Sequence, residues 1–232
     1  MSDVRELLGR LNQQTVKFDV GRGGVAELTN QDIAAALAFV PAGLGREVLE
    51  ACWWPDGACG RRTKLRDAVM ALVMPELARQ SRLLSSAHLD LQLAEAAVAW
   101  SRHSTAEQRS EVDRLRARLE SARARCWPRN AVESLPALTA AVLTEIATRN
   151  LCPCCEGRGE RLVDELLMPC VECKGRGVVA ISDRKRAKAI GRDESTFREL
   201  WRPVYLWLLD HITAAEQEAA GHLSKALRRE AA

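Results

Sequence analysis

Cys152-Pro153-Cys154-Cys155-Glu156-Gly157-Arg158-Gly159 and Cys170-Val171-Glu172-Cys173-Lys174-Gly175-Arg176-Gly177 are two copies of one pattern, Cys-x-x-Cys-x-Gly-x-Gly. Two thiolates three residues apart can chelate one metal ion if the backbone between them turns tightly. The glycines that follow supply the positive φ angles such a knuckle needs. Each copy offers half of a tetrahedral four-sulfur site, so Cys152, Cys155, Cys170 and Cys173 are the expected ligands of one structural Zn2+. The fourteen residues between Cys155 and Cys170 suffice for a short hairpin, with Leu162, Val163, Leu166 and Leu167 expected to pack beneath it. Four thiolates leave no open coordination position, which argues against catalysis by the metal. An iron–sulfur cluster or a redox pair is the lesser alternative. Cys154 falls outside the shared register and reads as a bystander; Cys52, Cys59 and Cys126 read as free thiols.

Outward from this module, the chain has 232 residues, 47% hydrophobic and 28% charged, with a net charge of +3. That balance is ordinary for a globular protein, and no global basic field announces a polyanionic partner. The N-terminus shows no basic-then-apolar leader, and no run reaches the ~18 apolar residues of a spanning helix. The expectation is a cytoplasmic protein with no membrane partner, in a compartment where thiols bind metal instead of pairing. There is no Walker-type loop, His-Glu-x-x-His or Gly-x-Ser-x-Gly, so nothing points to an enzyme.

The remainder reads as helix. Asp3 and Glu6 suggest a capping box, and the Gly21–Gly24 cluster a stop. Thr29 or Asn30 starts a helix through Ile33, Ala36, Leu37 and Val40, and Val48, Leu49 and Cys52 form another. Trp53 to Gly57 reads as a turn, and Arg61, Arg62, Lys64 and Arg66 open the next helix. Leu83 through Trp100, then Val112, Leu115, Leu119, Ala122 and Cys126 behind a Ser104-x-x-Glu107 box, suggest an antiparallel helical hairpin. Pro128 and Pro136 bracket a connection before a helix at Leu138–Ile146.

Between Lys174 and Arg192, seven basic residues face a single acid, Asp183. Ser182 to Gly191 reads as a capped helix ended by glycine, and Asp193 begins a second helix. Ala187 and Gly191 suit a helix-turn-helix, with Phe197, Leu200 and Trp201 facing the core. Arg184, Lys185, Arg186, Lys188, Arg192, Ser195, Thr196, Arg198 and Arg202 are then the candidate contacts to double-stranded DNA. Pro203 is expected to start a new helix or kink this one. An apolar helix follows from Val204 to Ile212, and Ala214–Ala232 reads as a weak, fraying tail. The expected fold is a mainly α helical bundle with an embedded four-cysteine zinc hairpin and a C-terminal helix-turn-helix-like segment. The expected division is a helical region at 1–130 and a DNA-binding region at 131–232, with the zinc module at 152–177 and the helix-turn-helix-like segment at 182–212.

The repeat also occurs in DnaJ-type chaperones, but those carry four copies and a His-Pro-Asp J domain, and this chain has two copies and no His-Pro-Asp. Paired knuckles, a basic Ala187-x-x-x-Gly191 segment and an aromatic helix interrupted at Arg202-Pro203-x-Tyr205 together resemble the late-gene antitermination proteins Q of lambdoid bacteriophages, lambda-type branch. The likeness is strongest from Cys152 to about His211, with an echo at Asp32-Ile-Ala-Ala-Ala and Ala42-Gly-Leu-Gly45. The stretch between the knuckles is shorter here than in that family. The resemblance implies binding to a DNA element overlapping a late promoter and loading onto paused bacterial RNA polymerase through its beta flap and primary sigma factor. Readthrough of terminators follows. On that reading, exposed residues of the Leu83–Cys126 hairpin, among them Arg109, Arg116 and Arg123, form the polymerase-contacting surface. The rivals are a helix-turn-helix repressor and a DnaJ-like module that binds protein partners. The sequence does not decide whether nascent RNA is engaged.

Overall fold

Short helices are marginal in water and survive by burying an apolar face against a neighbour. In this chain that neighbour is often far away in sequence. The computed structural model describes residues 4–9, 11–12, 29–55, 62–148, 150–163 and 166–230. The expected Asp3 box, the Gly21–Gly24 stop, Gly57 and Cys59 lie outside them. The order of elements is α1 (Val4–Gly9), α2 (Asn30–Ala38), α3 (Leu44–Trp53), α4 (Arg62–Trp100), α5 (Ala106–Arg125) and α6 (Ala131–Ala147). Then come β1 (Glu160–Val163), β2 (Leu166–Pro169), α7 (Asp183–Ala189), α8 (Glu194–Thr196), a π-helical turn at Phe197–Trp201, and α9 (Arg202–Glu230). The protein is a mainly helical bundle with an embedded cysteine hairpin. None of the described helices is long and apolar enough to cross a membrane.

The chain divides into two compact units, residues 1–68 with 130–232, and residues 69–129. This differs from a cut of the whole chain at 130, because the N-terminal helices pack on the C-terminal one. In the first unit, Leu7 and Leu8 of α1, Ile33, Ala36 and Leu37 of α2 with Val40 just after it, and Leu49 of α3 enclose one core with Ala219, Ala220, Leu223, Ala226 and Leu227 of α9. The residues expected to fray therefore supply one wall of that core, and each fully buried leucine or isoleucine is worth about 1.5–3 kcal/mol. A buried charge must be paired. Glu216 receives two bonds from the Arg5 guanidinium, both 2.8 Å, and one of 3.2 Å from the Trp53 indole N–H. Glu50, also buried, is met by Arg46 at 2.9 Å.

Local signals explain most helix boundaries. The hydroxyl of Thr29 accepts the Asp32 N–H, and the Asp32 carboxylate accepts the Thr29 N–H, closing the box that starts α2. The box before α5 is Thr105 with Gln108, one residue beyond the expected Ser104 and Glu107. The first helical residue is Ala106, so Thr105 is the residue that can reach the third amide. Pro136 lies inside α6 instead of in the connection before it. Residues 83–100 form the end of a 39-residue helix that begins at Arg62 and contains Pro75.

Within the second unit, Ala87 and Leu91 of α4 meet Val112, Leu115 and Leu119 of α5, as their spacing predicts. Arg116 to Glu95 at 2.8 Å and Arg118 to Asp90 at 3.1 Å cross this hairpin on its exposed side. Such exposed pairs contribute under about 1 kcal/mol each, so the apolar seam decides the register.

Pro203 is the second residue of α9, directly behind the π-helical turn, in line with the expected new start or kink. The turn before it widens, so that the carbonyl of Phe197 accepts from Arg202 five residues on. This wider turn takes up a residue that has no amide hydrogen to give. Phe197 and Trp201 are buried as expected, whereas Leu200 is exposed, because one helix turned against one core cannot bury three consecutive faces.

Gly45 marks the tightest crossing. A Cβ there would sit 2.2 Å from the carbonyl oxygen of Ala215, a backbone atom of α9 that cannot swing aside. Gly45→Ala should therefore lower unfolding stability by about 2 kcal/mol or more. Gly221→Ala, where a Cβ meets nothing within 4 Å, should raise it by about 0.5–1 kcal/mol. Urea denaturation of both variants against the parent chain checks the pair; equal effects would contradict the close crossing.

Candidate metal centre and its basic neighbour

The two knuckles are near-copies in space as well as in sequence. Glu156 and Lys174 both have φ of 53°, and Gly157, Gly159, Gly175 and Gly177 lie at 86°, 81°, 80° and 72°. Each backbone thus coils around its thiolates, and the amides of Gly159 and Gly177 point at the sulfurs of Cys155 and Cys173 from 3.3 and 3.2 Å. The copies also hold each other. Cys152 donates its N–H to the Gly177 carbonyl at 2.8 Å, and Cys170 donates to the Gly159 carbonyl at 2.7 Å. A side chain on Gly159 would collide with the Gly175 carbonyl at 2.5 Å, and one on Gly177 with the Gly157 carbonyl at 2.4 Å. These two glycines serve both the angle and the close approach.

The result is a cluster of four buried sulfurs. Cys152 and Cys170 are 3.9 Å apart, Cys155 and Cys173 are 3.7 Å apart, and all four lie within 4.8 Å of one another. These separations are far beyond the about 2.05 Å of a disulfide, and they suit four groups arranged to hold one metal ion. The Cys170 thiol is pulled down to about 6 from 9.0, first by the backbone N–H of Cys173 and further by that of Glu172, against the opposing effect of burial. Donors aimed at sulfur favour the thiolate, which is the form that binds metal. Cys154 is exposed, accepts a 3.2 Å bond from the Arg161 guanidinium and stands outside the group of four.

The hairpin between the knuckles pairs β1 with β2, Leu162 opposite Leu167 and Val163 opposite Leu166. Its apolar residues do not pack beneath it. Leu162, Leu166 and Leu167 are 69%, 67% and 70% exposed, because a two-stranded ribbon has no second layer to cover it. Among the described residues, Val179 is the apolar residue packed against the sulfur cluster.

At its base the module is tied to the helices. Leu151 bridges to Val178, and Asn150 exchanges bonds with Val179, accepting its N–H at 3.0 Å through the backbone carbonyl and donating from its side chain to the Val179 carbonyl at 2.9 Å. The Oδ1 of Asn150 also accepts from Lys185 of α7 at 3.5 Å. Next to this, Glu145 of α6 accepts two bonds from Arg186, 2.6 and 3.0 Å, and one of 2.9 Å from the Tyr205 hydroxyl. Burial, then the bond to Glu145, pushes the Tyr205 phenol up, so it stays a neutral donor. Arg186 is only 12% exposed and lies 5.5 Å from the Tyr205 ring. It acts as an internal tie between α6, α7 and α9, which takes it off the surface expected to face DNA.

The other expected DNA contacts are distributed unevenly. Arg184 and Lys188 are exposed and without an ion-pair partner among the described residues. Arg192 lies over the Trp201 ring at 5.1 Å. The Asp193 carboxylate caps α8, held well below the usual range by the Ser195 hydroxyl, 2.6 Å away, and then by the Thr196 N–H at 2.8 Å. Ser195 is therefore engaged in the cap. Arg198 pairs with Glu194 and approaches Asp183 at 3.8 Å, and Arg202 reaches Asp183 at 3.3 Å. Asp183, Glu145 and Asn150 were not signalled by spacing; a lone acid inside a basic run is the one sequence feature that marks Asp183.

Compared with protein-family models, with curated proteins and with solved structures, the chain matches none.

The purified chain should carry one metal ion, lost in Cys173→Ser and kept in Cys154→Ser, as read by elemental analysis. Because the ligands bind as thiolates, and backbone N–H groups hold the Cys170 thiol low, release to a chromogenic chelator should increase as pH falls into the acid range. Metal loss from Cys154→Ser but not from Cys152→Ser would overturn the ligand assignment.

Proposed function

We propose that this chain is a zinc-stabilised DNA-binding protein that joins transcribing bacterial RNA polymerase and promotes terminator readthrough, as the late-gene antitermination proteins Q do. The observation that carries the reading is the junction of the cysteine module with the basic helix. The second knuckle leads within six residues into α7, whose exposed Arg184 and Lys188 are free to meet phosphates. Zinc is the ion favoured by four thiolates. Around a tetrahedral zinc with bonds of about 2.3 Å, sulfurs stand about 3.8 Å apart, and the pairs here measure 3.9 and 3.7 Å. Zinc bound at Cys152, Cys155, Cys170 and Cys173 would hold the hairpin and perform no chemistry.

Helix α7, the turn at Gly191 and the helix opened by Asp193 form the proposed helix-turn-helix, with φ of 67° at Gly191 supplying the reversal. The polymerase contact is proposed for the α4–α5 hairpin. There Arg116 and Arg123 are exposed and engaged only in surface pairs, and Arg109 reaches only the Thr105 carbonyl. A second reading has its own support: the uncovered leucines of the hairpin suit a DnaJ-like module that binds a protein partner.

In vitro transcription from the cognate late promoter across a terminator should show readthrough that depends on this protein and on the promoter element. Readthrough without the element contradicts the DNA-loading step, operator occupancy without readthrough marks a repressor, and absence of any DNA binding favours the protein-binding reading. Arg184→Ala or Lys188→Ala should weaken specific and non-specific DNA about equally and reduce the salt slope by about one unit, measured by fluorescence anisotropy over a salt series.

A further inference from the structure

Asp183 is the single acid of the basic segment, and three guanidinium groups converge on it. Arg186 stands at 3.8 Å, Arg198 at 3.8 Å and Arg202 at 3.3 Å. Arg186 is otherwise spent on Glu145, and Arg198 on Glu194. Three cations thus meet three carboxylates, Asp183, Glu145 and Glu194, and the cluster carries no net charge. Such a cluster is a poor attractor for a polyanion, so non-specific attraction falls to Arg184 and Lys188. What the cluster provides is direction.

Arg202 approaches Asp183 on its Nε side as an ion pair at 3.3 Å, and no hydrogen bond engages its terminal nitrogens among the described residues. The side chain is 51% exposed. A guanidinium drawn toward a carboxylate on its Nε side leaves its far edge as two parallel N–H donors, the shape that meets the O6 and N7 acceptors of guanine in the major groove. The backbone supports the same placement. The π-helical turn at Phe197–Trp201 brings Arg198 and Arg202, four residues apart, to the same carboxylate.

We propose that Asp183 is a positioning residue that holds Arg202 in place to read one guanine by a bidentate contact. This rests on the DNA-binding reading above and names the residue and the base that give it specificity. A long arginine left free would lose rotamer entropy on binding, and the ion pair with Asp183 reduces that loss beforehand. A carboxylate beside DNA weakens phosphate attraction; Asp183 also sits in the first turn of α7, where an acid is favoured, and from there it reaches Arg202.

The test is selection from a randomised duplex library with the full-length metal-loaded chain, its D183N and R202K variants and the double variant, together with affinity for a fixed non-specific duplex. The wild-type chain should enrich a motif containing a G·C pair. D183N and R202K should each lose preference at that same position by about ten-fold or more. The double variant should lose no more than either, because the two residues act as one unit. Non-specific affinity of D183N should stay equal or rise. R202K keeps the charge and leaves the Ser182 cap and Asp183 in place, so a folding defect in D183N would not leave the question open. Preference lost at different positions, preference retained in either single variant, or an equal gain for all sequences would overturn the proposal. A wild-type chain that binds duplex yet enriches no motif overturns this inference alone, whereas one that binds no duplex overturns the DNA-binding reading with it.

Discussion

Four sulfurs gathered within 4.8 Å stand where the cysteine module would otherwise need a hydrophobic core. Residues 150–179 contain two knuckles and a two-stranded ribbon, yet among the described residues one valine is the apolar packing set against the cluster. Ordering some thirty residues costs conformational entropy of about 1 kcal/mol or more for each. Backbone bonds between the knuckles cannot offset that by themselves, because each is worth only about 1 kcal/mol net. A bound ion can, since binding to a site that exists only in the folded state is itself folding free energy. The positive φ angles, the paired glycines and the amides aimed at sulfur all follow from bringing four thiolates to one point.

The position of the basic helix depends on this module through a short chain of contacts. The knuckles close the strand-like pairing of Leu151 with Val178, and Asn150 joins that base to Lys185. Glu145 then fastens Arg186 and Tyr205, so that α6, α7 and α9 share one buried polar centre. A fully satisfied network of this kind specifies one arrangement, at the cost that removing any member leaves a buried charge unpaired. The surface cations left over, Arg184 and Lys188 above all, are those the network does not consume.

Much of this was legible from the sequence, and the parts that were not share a cause. Metal-ligand spacing is a local signal, so it picks out Cys152, Cys155, Cys170 and Cys173, whose sulfurs do come together, and sets Cys154 aside. The α4–α5 seam is equally local, since its heptad positions lie on one helix face. The wall formed by Ala219, Leu223 and Leu227 is different. Its partners are Leu8, Ile33 and Leu37, nearly two hundred residues away, and the segment itself has too little hydrophobicity to announce a core. Arg186 looked like its basic neighbours because nothing in the run marks the one that turns inward to Glu145. The leucines of the hairpin misled in the opposite sense: apolar residues imply burial only where a second layer exists. At Ser104 and Thr105 two good capping residues stand side by side, each with Glu or Gln three residues on, and only the helix start at Ala106 separates them. At Pro203 the expected new start or kink takes the form of a turn widened by one residue, a form that the sequence does not reveal.

The claim on which the rest turns is that the metal takes the place of a core in residues 150–179 and nowhere else. Hydrogen exchange on the metal-loaded chain, repeated after chelation under reducing conditions, tests it residue by residue. Amides such as Cys152, Cys170, Gly159 and Gly177 should pass from protected to freely exchanging, while Leu37, Leu49 and Leu223 keep their protection because hydrocarbon packing holds them. Undiminished protection across the knuckles after the metal is gone, or collapse of the helical core together with them, would contradict it.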